Sequence, residues 1–371
     1  MEEGHGGRFG GTPAVRRFSA MTAAARLSRN DLRGRAQTVI GAVDPGLLGP
    51  TLMHEHLIWD IRTPAMVEEG DPGPEITLCN CFRMNYGRKK TPGNLILRCR
   101  ETASDAVAEM VGLGGRTIVE LSSGGLDPDP LGYVEIARRT GAHIVMGCGH
   151  YVDDYQAPAN RGRSVEDFAA EMIDQIQIGA WGTNVRAGII GEIGCQSPWT
   201  DLEKRVMRGA LLDQAETGAA LNVHPGRDAD QPQEIADFIR AEGYPTDRVI
   251  ISHIDRTIFD DDRLLRLADN GVVIEFDLFG QENAYYPWAD IDMPNDAGRL
   301  RLIRSLIARG HLPQIVISHD ICYRTRLTRF GGHGYGHIFE NVLPMMRARG
   351  FSEAEIAAIM VGNPRRLLTF V

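Results

Sequence analysis

Two histidines stand one residue apart, at His54 and His56, in the segment TLMHEHL that follows a Gly-Pro step. If this segment is a β-strand, successive side chains alternate between its two faces, so both imidazoles point the same way and Glu55 points the opposite way. Imidazole is the commonest protein ligand for metal ions. The pair therefore predicts a metal site, and its spacing differs from the H-E-x-x-H motif of helical zinc proteases.

Four more residues of metal-ligand type interrupt or close apolar runs later in the chain: Glu192 in GIIGEIG, His224 in NVHPG, His253 in ISHID and Asp320 in ISHD. In a barrel of parallel strands the C-terminal strand ends meet on one face, so these side chains would converge there. The predicted assignment is one divalent ion on His54, His56 and Asp320, a second ion on His224 and His253, and Glu192 as the carboxylate that bridges them.

Such a centre would perform metal-assisted hydrolysis. Two bridged ions lower the pKa of bound water to about 7, which makes a bridging hydroxide available to attack a carbonyl or phosphoryl centre. Asp320 would take the proton during attack and pass it to the leaving group. Zinc is the expected metal, and imidazole and carboxylate ligands suit Mn, Fe, Co or Ni as well.

The segments between these residues show an alternation of strands and helices. Eight short apolar runs with stretches of helical period between them predict an α/β fold, a (β/α)8 TIM barrel over residues 37–371. The predicted strands are 51–57, 116–123, 142–149, 186–194, 219–226, 248–255, 271–280 and 313–320. Residues 1–36, rich in Gly, Ala and Arg, are predicted to form a flexible leader. The segment from Asp60 to Asn94 is long for a βα connection and predicts a lid or a pocket wall.

Composition narrows the class of partner. The 371 residues include 40 basic and 49 acidic side chains, a net charge of −9 with no basic stripe, which argues against nucleic acid as a partner. The chain has no apolar stretch of the ~18 residues that a membrane span needs and no secretory signal. Its six cysteines lack C-x-x-C spacing. We therefore expect a cytoplasmic protein that acts on a small molecule, with a homodimer as the default assembly.

The motifs together resemble the phosphotriesterase family of the amidohydrolase superfamily. The resemblance runs from about Gln37 to Val371, through QTVIGAVDPGLLGPTLMHEHL, GIIGEIG, NVHPG, ISHID, ISHDICYRTRLTRFGGHGYGHIFENVLP and GNPRRLLTF. It implies the same barrel and the same two-metal centre. Where the name-giving phosphotriesterases bridge their metals with a carboxylated lysine, this chain has Glu192, so it looks more like the phosphotriesterase-related branch with a glutamate bridge.

The resemblance also implies where the substrate binds. The loops after the third and eighth strands wall the substrate pocket in the family, which makes Tyr151, Arg324, His333 and Tyr335 the predicted substrate-binding residues. A tyrosine hydroxyl or an arginine there could polarise a carbonyl or bind an acidic group. For the charged pairs Arg227–Asp228 and Asp255–Arg256, which follow two of the histidines, we favour ion pairing near the metal ligands over substrate contact.

The predicted function is a binuclear metal-dependent hydrolase of a lactone, carboxylic ester or amide, with weak phosphotriesterase activity on the side. Two alternatives stay open. A mononuclear deaminase-type amidohydrolase also uses H-x-H, later histidines and an aspartate, and a small-molecule binding protein could be built on the same barrel.

Overall fold

The computed structural model describes residues 25–86, 90–282, 286 and 288–371. In chain order the strands are β1 (Ala36–Thr38), β2 (Gly41–Val43), β3 (Thr51–Glu55), β4 (Trp59–Asp60), β5 (Ile96–Leu97), β6 (Thr117–Glu120), β7 (His143–Met146), β8 (Ile190–Gly194), β9 (Leu221–His224), β10 (Val249–Ile251), β11 (Val273–Phe276) and β12 (Ile315–Ile317). The barrel itself is formed by β3 and β6 to β12, each of which lies within one of the eight longer ranges predicted from the sequence.

Helices cover the outside of the barrel and its ends. They are α1 (Arg29–Leu32), α2 (Pro64–Glu69), α3 (Cys81–Tyr86), α4 (Arg100–Gly112), α5 (Pro130–Thr140), α6 (Val165–Gln177), α7 (Asp201–Thr217), α8 (Gln231–Ala241), α9 (Asp261–Asp269), α10 (Asp296–Ala308), α11 (Leu343–Ala348), α12 (Glu353–Ala357) and α13 (Asn363–Leu368). Within the described part of the chain, no helix has the length and apolar character that crossing a bilayer requires.

The eight barrel strands form two parallel sheets that join into a closed barrel, and β1 and β2 form a separate antiparallel pair. One sheet has the order β3-β6-β7 and the other β12-β11-β10-β9-β8. Main-chain hydrogen bonds from Gly188 to Met146 and from Gly191 to Cys148, each 2.8 Å, connect β7 to β8. At the other seam the amide of Asp320 donates to the carbonyl of His54 at 3.2 Å, which ties the end of β12 to the end of β3. The (β/α)8 barrel prediction is therefore confirmed.

The barrel interior is filled by side chains and is not a channel. Each barrel strand, or the residue just before it, contributes one buried apolar side chain to a single central cluster: Met53, Val119, Val145, Ile189, Ala220, Ile250, Val273 and Val316. Packed layers of branched side chains are typical of this fold. Because this layer closes the centre of the barrel, polar residues further along the same strands lie at the C-terminal mouth.

Caps set where the helices begin and end, and one of them also shapes a loop at that mouth. Thr200 is the N-cap of α7, and its hydroxyl and the carboxylate of Glu203 form a capping box. Oε2 of Glu203 also accepts a hydrogen bond from the amide of Gln196 at 3.0 Å, which fixes the loop that follows β8. The helix ends at Gly218, whose left-handed φ of 78° turns the chain into β9.

The N-terminal segment differs from its prediction. Leu27 donates a main-chain hydrogen bond to Gln177 at 2.9 Å, the Arg29 side chain bonds the carbonyl of Ala215 at 2.7 Å, and Leu32 is fully buried. These contacts place residues 25–36 against α6 and α7, so these residues do not form a flexible leader. Burial of Leu32 in the core stabilises this arrangement. Residues 1–24 lie outside the described residues, so their assignment to a leader stays a prediction.

The segment between the first and second barrel strands lies at the mouth. β4 and β5 form an antiparallel pair, with Trp59 opposite Leu97, and α2 and α3 lie between them. Residues Ile61 and Thr63–Ala65 line the cavity described below. The side-chain amide of Asn94 donates to the Thr325 hydroxyl at 3.0 Å and so joins this segment to the loop after β12. The segment is a pocket wall, one of its two predicted roles.

Candidate metal centre and active site

The six predicted ligand residues meet at the C-terminal mouth of the barrel, with the carboxylate of Glu192 in the middle. Its Oε2 lies 2.8 Å from Nδ1 of His224, 3.4 Å from Nε2 of His253 and 3.5 Å from Nε2 of His54. Its Oε1 lies 3.6 Å from Nε2 of His56. Burial opposes ionisation of Glu192, but the surrounding histidines hold its pKa well below the ordinary value. The group is therefore a carboxylate between two pairs of imidazoles.

Asp320 completes the cluster on the side of His56. Its Oδ1 lies 3.2 Å from Nε2 of His56, and its side chain is 14% exposed while the other five are nearly inaccessible. Burial alone would raise the pKa of Asp320, yet the hydrogen bond to His56 and the nearby histidines lower it. Asp320 is thus the ionised group of the cluster that is most accessible from the cavity.

Local irregularities in the backbone turn these side chains into the barrel. The register of β3 shifts between Leu52 and Glu55, and that of β8 shifts between Ile190 and Ile193, as in β-bulges that redirect side chains. His253 and Asp320 adopt left-handed φ values of 55° and 49°, which are uncommon for residues other than glycine. Such conformations concentrate at functional sites.

Glu55 faces away from the cluster, as predicted. Its Oε1 accepts hydrogen bonds from the Ser318 hydroxyl at 2.8 Å and from the His319 amide at 2.9 Å, and its Oε2 accepts one from the Ile321 amide at 3.0 Å. Glu55 therefore satisfies main-chain donors at the end of β12 and helps fix the position of Asp320.

Two carboxylates, Asp277 and Glu275, hold the Nδ1 atoms of two of the cluster histidines, His54 and His253. Asp277 lies 2.9 Å from Nδ1 of His253 and 3.2 Å from Nδ1 of His54. Glu275 lies 3.3 Å from the same nitrogen of His54 and also accepts from Asn222 at 2.8 Å. Sequence reasoning missed Glu275. The signal was an acid within the apolar run VVIEFD, two residues before Asp277 and so on the same strand face.

The ring nitrogens that face the Glu192 carboxylate are arranged as the ligands of a metal ion would be. Nε2 of His54 is buried and has no hydrogen-bond partner among the described residues. Nε2 of His253 lies 2.8 Å from Nδ1 of His224, so two potential ligand atoms face each other. Burial lowers the pKa of His224 to about 3, so this ring is neutral at pH 7, as a ligand must be. The ligand atoms of His54, Glu192 and His253 lie within 4.8 Å of one another and could share a metal ion, as could those of His54, His56 and Asp320.

A cavity of about 840 Å³ extends from the cluster to the surface. Five of the six cluster residues line its floor, and Tyr151 lies beside them with its hydroxyl 3.3 Å from Nε2 of His224. The walls combine apolar and aromatic side chains, namely Ile61, Leu126, Val152, Leu278, Tyr155, Tyr286, Trp288 and Tyr323. Burial raises the pKa of Tyr151 well above its ordinary value, so the phenol keeps its hydrogen at neutral pH. A largely apolar pocket with a few polar groups on its floor suits a small organic substrate.

Of the four predicted substrate-binding residues, only Tyr151 is on the cavity wall that the described residues form. The prediction that Arg324, His333 and Tyr335 line the substrate pocket is therefore wrong. Arg324 points to the segment before β5, where it donates to the carbonyl of Gly93 at 3.3 Å. Tyr335 is fully buried and donates to the His56 carbonyl at 2.5 Å.

His333 packs behind the cluster. Its ring stacks on that of His319 with centroids 5.5 Å apart, and burial lowers its pKa well below the ordinary value. It supports the loop after β12 but does not touch the cavity wall described here. Arg324, His333 and Tyr335 follow Asp320 closely in sequence, but this closeness did not indicate on which side of the loop their side chains lie.

Among the charged residues that follow the two strands, Asp255 forms an ion pair near the metal ligands as predicted, with Arg299 at 2.7 Å. The prediction of ion pairing is wrong for Arg227 and Arg256, since neither has a salt bridge among the described residues. The Arg256 guanidinium donates to the carbonyls of Pro225 and Gly226 at 2.9 and 3.1 Å. Arg227 faces the cavity next to Tyr286, a residue that no sequence pattern had singled out.

Comparison with known proteins agrees with this architecture. The family model described as the phosphotriesterase family matches residues 34–368. The chain is 38% identical over 345 residues to an N-acetyltaurine hydrolase from Salmo salar, covering 91% of this chain and 99% of that protein.

Two solved structures share the fold. A resiniferatoxin-binding protein from Rhodobacter sphaeroides is 32% identical, with a TM-score of 0.86 and coverage of 93% of this chain and 98% of that one. The phosphotriesterase homology protein from Escherichia coli, complexed with phosphate in its active site, is 27% identical, with a TM-score of 0.73 and coverage of 87% and 99%. The chain therefore belongs to the phosphotriesterase family, a family of metal-dependent hydrolases.

Proposed function

We propose that this chain is a two-metal hydrolase that cleaves the carbonyl–nitrogen bond of a small N-acyl compound. The observation that carries the proposal is the position of Glu192, whose two carboxylate oxygens face different histidines at the floor of the cavity. An amide is favoured because of the similarity to an N-acetyltaurine hydrolase. N-acetyltaurine is therefore the first substrate to test.

The proposed ligands of each metal ion are the residues whose nitrogen and oxygen atoms face one another in the cluster. One ion would be held by His54, His56 and Asp320, the second by His224 and His253, and Glu192 would contribute one oxygen to each. When bound, divalent ions of this kind lower the pKa of water to about 7 and polarise an acyl oxygen. Zinc suits the set, as do Mn, Fe, Co and Ni.

Asp320 is the proposed proton carrier. It is the accessible carboxylate of the cluster, and its low pKa keeps it ionised and ready to accept a proton. As the oxygen of water bonds to the acyl carbon, Asp320 takes the proton that water loses. It returns this proton to the nitrogen as the carbon–nitrogen bond breaks, which gives a carboxylic acid and an amine.

Tyr151 is the proposed donor to the acyl oxygen. With Nδ1 of His224 as the ligand atom, the neutral ring carries its hydrogen on Nε2 and donates it to the Tyr151 oxygen at 3.3 Å. Arg256 also lies 3.3 Å from this nitrogen, but its Nη2 has a better acceptor in the Pro225 carbonyl at 2.9 Å. The phenol hydrogen is then free to point into the cavity, where it can stabilise developing negative charge.

The same groups could act on related electrophiles. Lactones and carboxylic esters present the same acyl carbon with an oxygen leaving group, so we include them in the proposed range. We also propose weak phosphotriester hydrolysis as a side activity, since phosphorus with a good leaving group is open to the same attack. A higher rate on paraoxon-like esters than on every carbonyl substrate would show that phosphotriester hydrolysis is the main activity and not the side activity.

The test is hydrolysis of N-acetyltaurine, test lactones and paraoxon by metal-loaded protein and by His54→Ala and Asp320→Ala variants. Asp262→Ala is the matched control, because Asp262 is exposed in the first turn of α9. We expect activity in the parent and the control and its loss in the other two variants. Undiminished activity in His54→Ala or Asp320→Ala would refute the proposal. Tight substrate binding without turnover in the parent would favour a binding protein instead.

A further inference from the structure

Three arginines line the cavity without a salt bridge among the described residues. They are Arg227, Arg256 and Arg326. Arg256 and Arg326 donate to main-chain carbonyls, those of Pro225 and Asp320 respectively, at 2.9 Å. The carboxylates on the same wall are Glu192 and Asp320 of the cluster and Asp154. Once the first two are engaged by metal ions, the cavity carries an excess of fixed positive charge.

Arg227 is the least satisfied of these three cations. Its hydrogen bond within the described structure runs from Nη2 to the Tyr286 hydroxyl at 3.2 Å, and its Nε is buried without a partner. The guanidinium lies 5.5 Å from the ring centroid of Tyr286 and 5.9 Å from that of Trp288. Aromatic faces attract a cation but do not neutralise it. A partly buried charge of this kind is costly unless an anion pairs with it.

A second cation lies over the same aromatic wall. Nζ of Lys90 is 2.9 Å from the ring centroid of Trp288. Arg227 and Lys90 thus lie beside the same ring, 5.9 and 2.9 Å from its centroid, so their charges are close enough to repel each other. Burial and the charge of Arg227 lower the pKa of Lys90 to about 8. Two like charges beside one aromatic ring of the cavity wall favour an anion that lies between them.

We propose that Arg227 and Lys90, held by Tyr286 and Trp288, form a cationic subsite that binds an anionic group on the amine side of the substrate. The chemical class is a sulfonate or a carboxylate on a short chain from the amide nitrogen. This inference rests on the proposed function for the identity of the reaction. The position of the subsite fits that reaction, because Arg227 is three residues after His224 and lines the same cavity as Tyr151.

The subsite orients the substrate within the cavity. A substrate whose anion lies between Arg227 and Lys90 presents its acyl group to the floor, where Tyr151 and Asp320 lie. A neutral analogue leaves both cations unpaired and should bind less well. The subsite therefore makes the enzyme selective for anionic amides.

The test compares three acetamides that differ only at the end of a two-carbon chain: N-acetyltaurine with a sulfonate, N-acetyl-β-alanine with a carboxylate and N-acetylethanolamine with a neutral hydroxyl. Each is assayed with the parent and with Arg227→Gln, Lys90→Gln and Arg227→Lys. Arg324→Gln is the matched control, because Arg324 is a nearby arginine that bonds Gly93 outside the cavity wall.

We expect Arg227→Gln to raise KM for the two anions about 10–100-fold and to change KM for the neutral amide by no more than about two-fold. Lys90→Gln should act in the same direction, Arg227→Lys should keep most of the anion preference, and Arg324→Gln should have no effect. A difference between the sulfonate and the carboxylate in the parent identifies which anion the subsite prefers. An equal loss on all three amides in Arg227→Gln, or a parent that prefers the neutral amide, would overturn the proposal.

A binding measurement separates this inference from the proposed function. If the parent cleaves none of the three amides, the proposed function fails, and the subsite is judged by calorimetry with the uncleavable ketone 4-oxopentane-1-sulfonate. Binding to the parent about ten-fold or more tighter than to Arg227→Gln supports the subsite. Equal affinity for the two proteins, or no binding to either, rules it out.

Discussion

Replacing Asp277 by asparagine tests how the cluster histidines are held in position. One carboxylate bonds Nδ1 of His253 at 2.9 Å, the main-chain amide of His253 at 3.0 Å and Nδ1 of His54 at 3.2 Å. Burial would raise the pKa of Asp277, but the charge and hydrogen bonds of the two histidines hold it well below the ordinary value. Asp277 thus orients one proposed ligand of each ion.

The size of the effect follows from the bonds that asparagine can keep. Its carbonyl oxygen can still accept from His253, while its amide group would face Nδ1–H of His54 and place two donors together. Glu275, 3.3 Å from the same nitrogen, offers His54 a second acceptor. The net loss is close to one charge-assisted hydrogen bond, about 1.5–3 kcal/mol. We expect metal affinity to fall about 10–100-fold, a typical cost of losing a partner of a ligand histidine.

The assay is competition with a chromophoric chelator, which gives the dissociation constants of the ions for the parent and Asp277→Asn. Asp262→Asn, the same chemical change on the exposed surface of α9, is the control and should bind metal like the parent. Affinity for Asp277→Asn within about two-fold of the parent would refute the reasoning, because partners of metal-bound histidines normally contribute more than this.

Three further predictions concern single side chains. Tyr151→Phe should lower kcat about 100-fold with little change in KM if the phenol stabilises charge in the transition state, and an unchanged kcat would contradict this role. Within the described structure neither carboxylate oxygen of buried Asp213 has a hydrogen-bond partner, since the Thr217 hydroxyl donates to its main-chain carbonyl. Burial raises the pKa of Asp213, so Asp213→Asn should raise the free energy of unfolding at pH 7 by about 1 kcal/mol or more, measured by urea denaturation. Burial also raises the pKa of Glu120 to about 7, so its folded form holds a proton that the unfolded chain releases above about pH 4.5. The parent should therefore lose about 2–4 kcal/mol relative to Glu120→Gln between pH 4.5 and pH 8, and parallel stability curves for the two proteins would count against this.

The barrel and the convergence of the six cluster residues could be predicted from the sequence, because both depend on the regular alternation of apolar strands and amphipathic helices. Each strand is a short apolar run, and each cluster residue interrupts or closes such a run. Parallel strands bring their C-terminal ends to one face whatever the detailed packing. Knowing the order of the elements was therefore enough to expect His54, Glu192 and Asp320 at one mouth.

The orientation of individual side chains was not accessible in the same way. With Ile250 in the barrel interior, strict alternation along β10 turns Ser252 inward and His253 outward, and the left-handed φ of 55° at His253 reverses that. Glu192 depends similarly on the register shift in β8. Bulges and positive φ values at non-glycine residues leave no regular sequence pattern.

The substrate-facing residues were the hardest to predict. Arg324 and Tyr335 follow Asp320 closely in sequence, but their directions are decided by contacts with Gly93 and with the main chain of His56. Tyr286 belongs to a loop with no periodic pattern, so only the folded structure brings it to the cavity next to Arg227. Loop geometry depends on such long-range contacts and not on local propensity.

The most direct test of the central claim is a crystal structure of metal-loaded protein with anomalous diffraction recorded on both sides of the metal absorption edge. The account predicts two peaks about 3.5–4 Å apart, as in other two-metal sites, with one oxygen of Glu192 on each. His54, His56 and Asp320 should surround one peak, and His224 and His253 the other. A single peak in fully loaded crystals, or a Glu192 carboxylate turned away from the metal, would contradict the account.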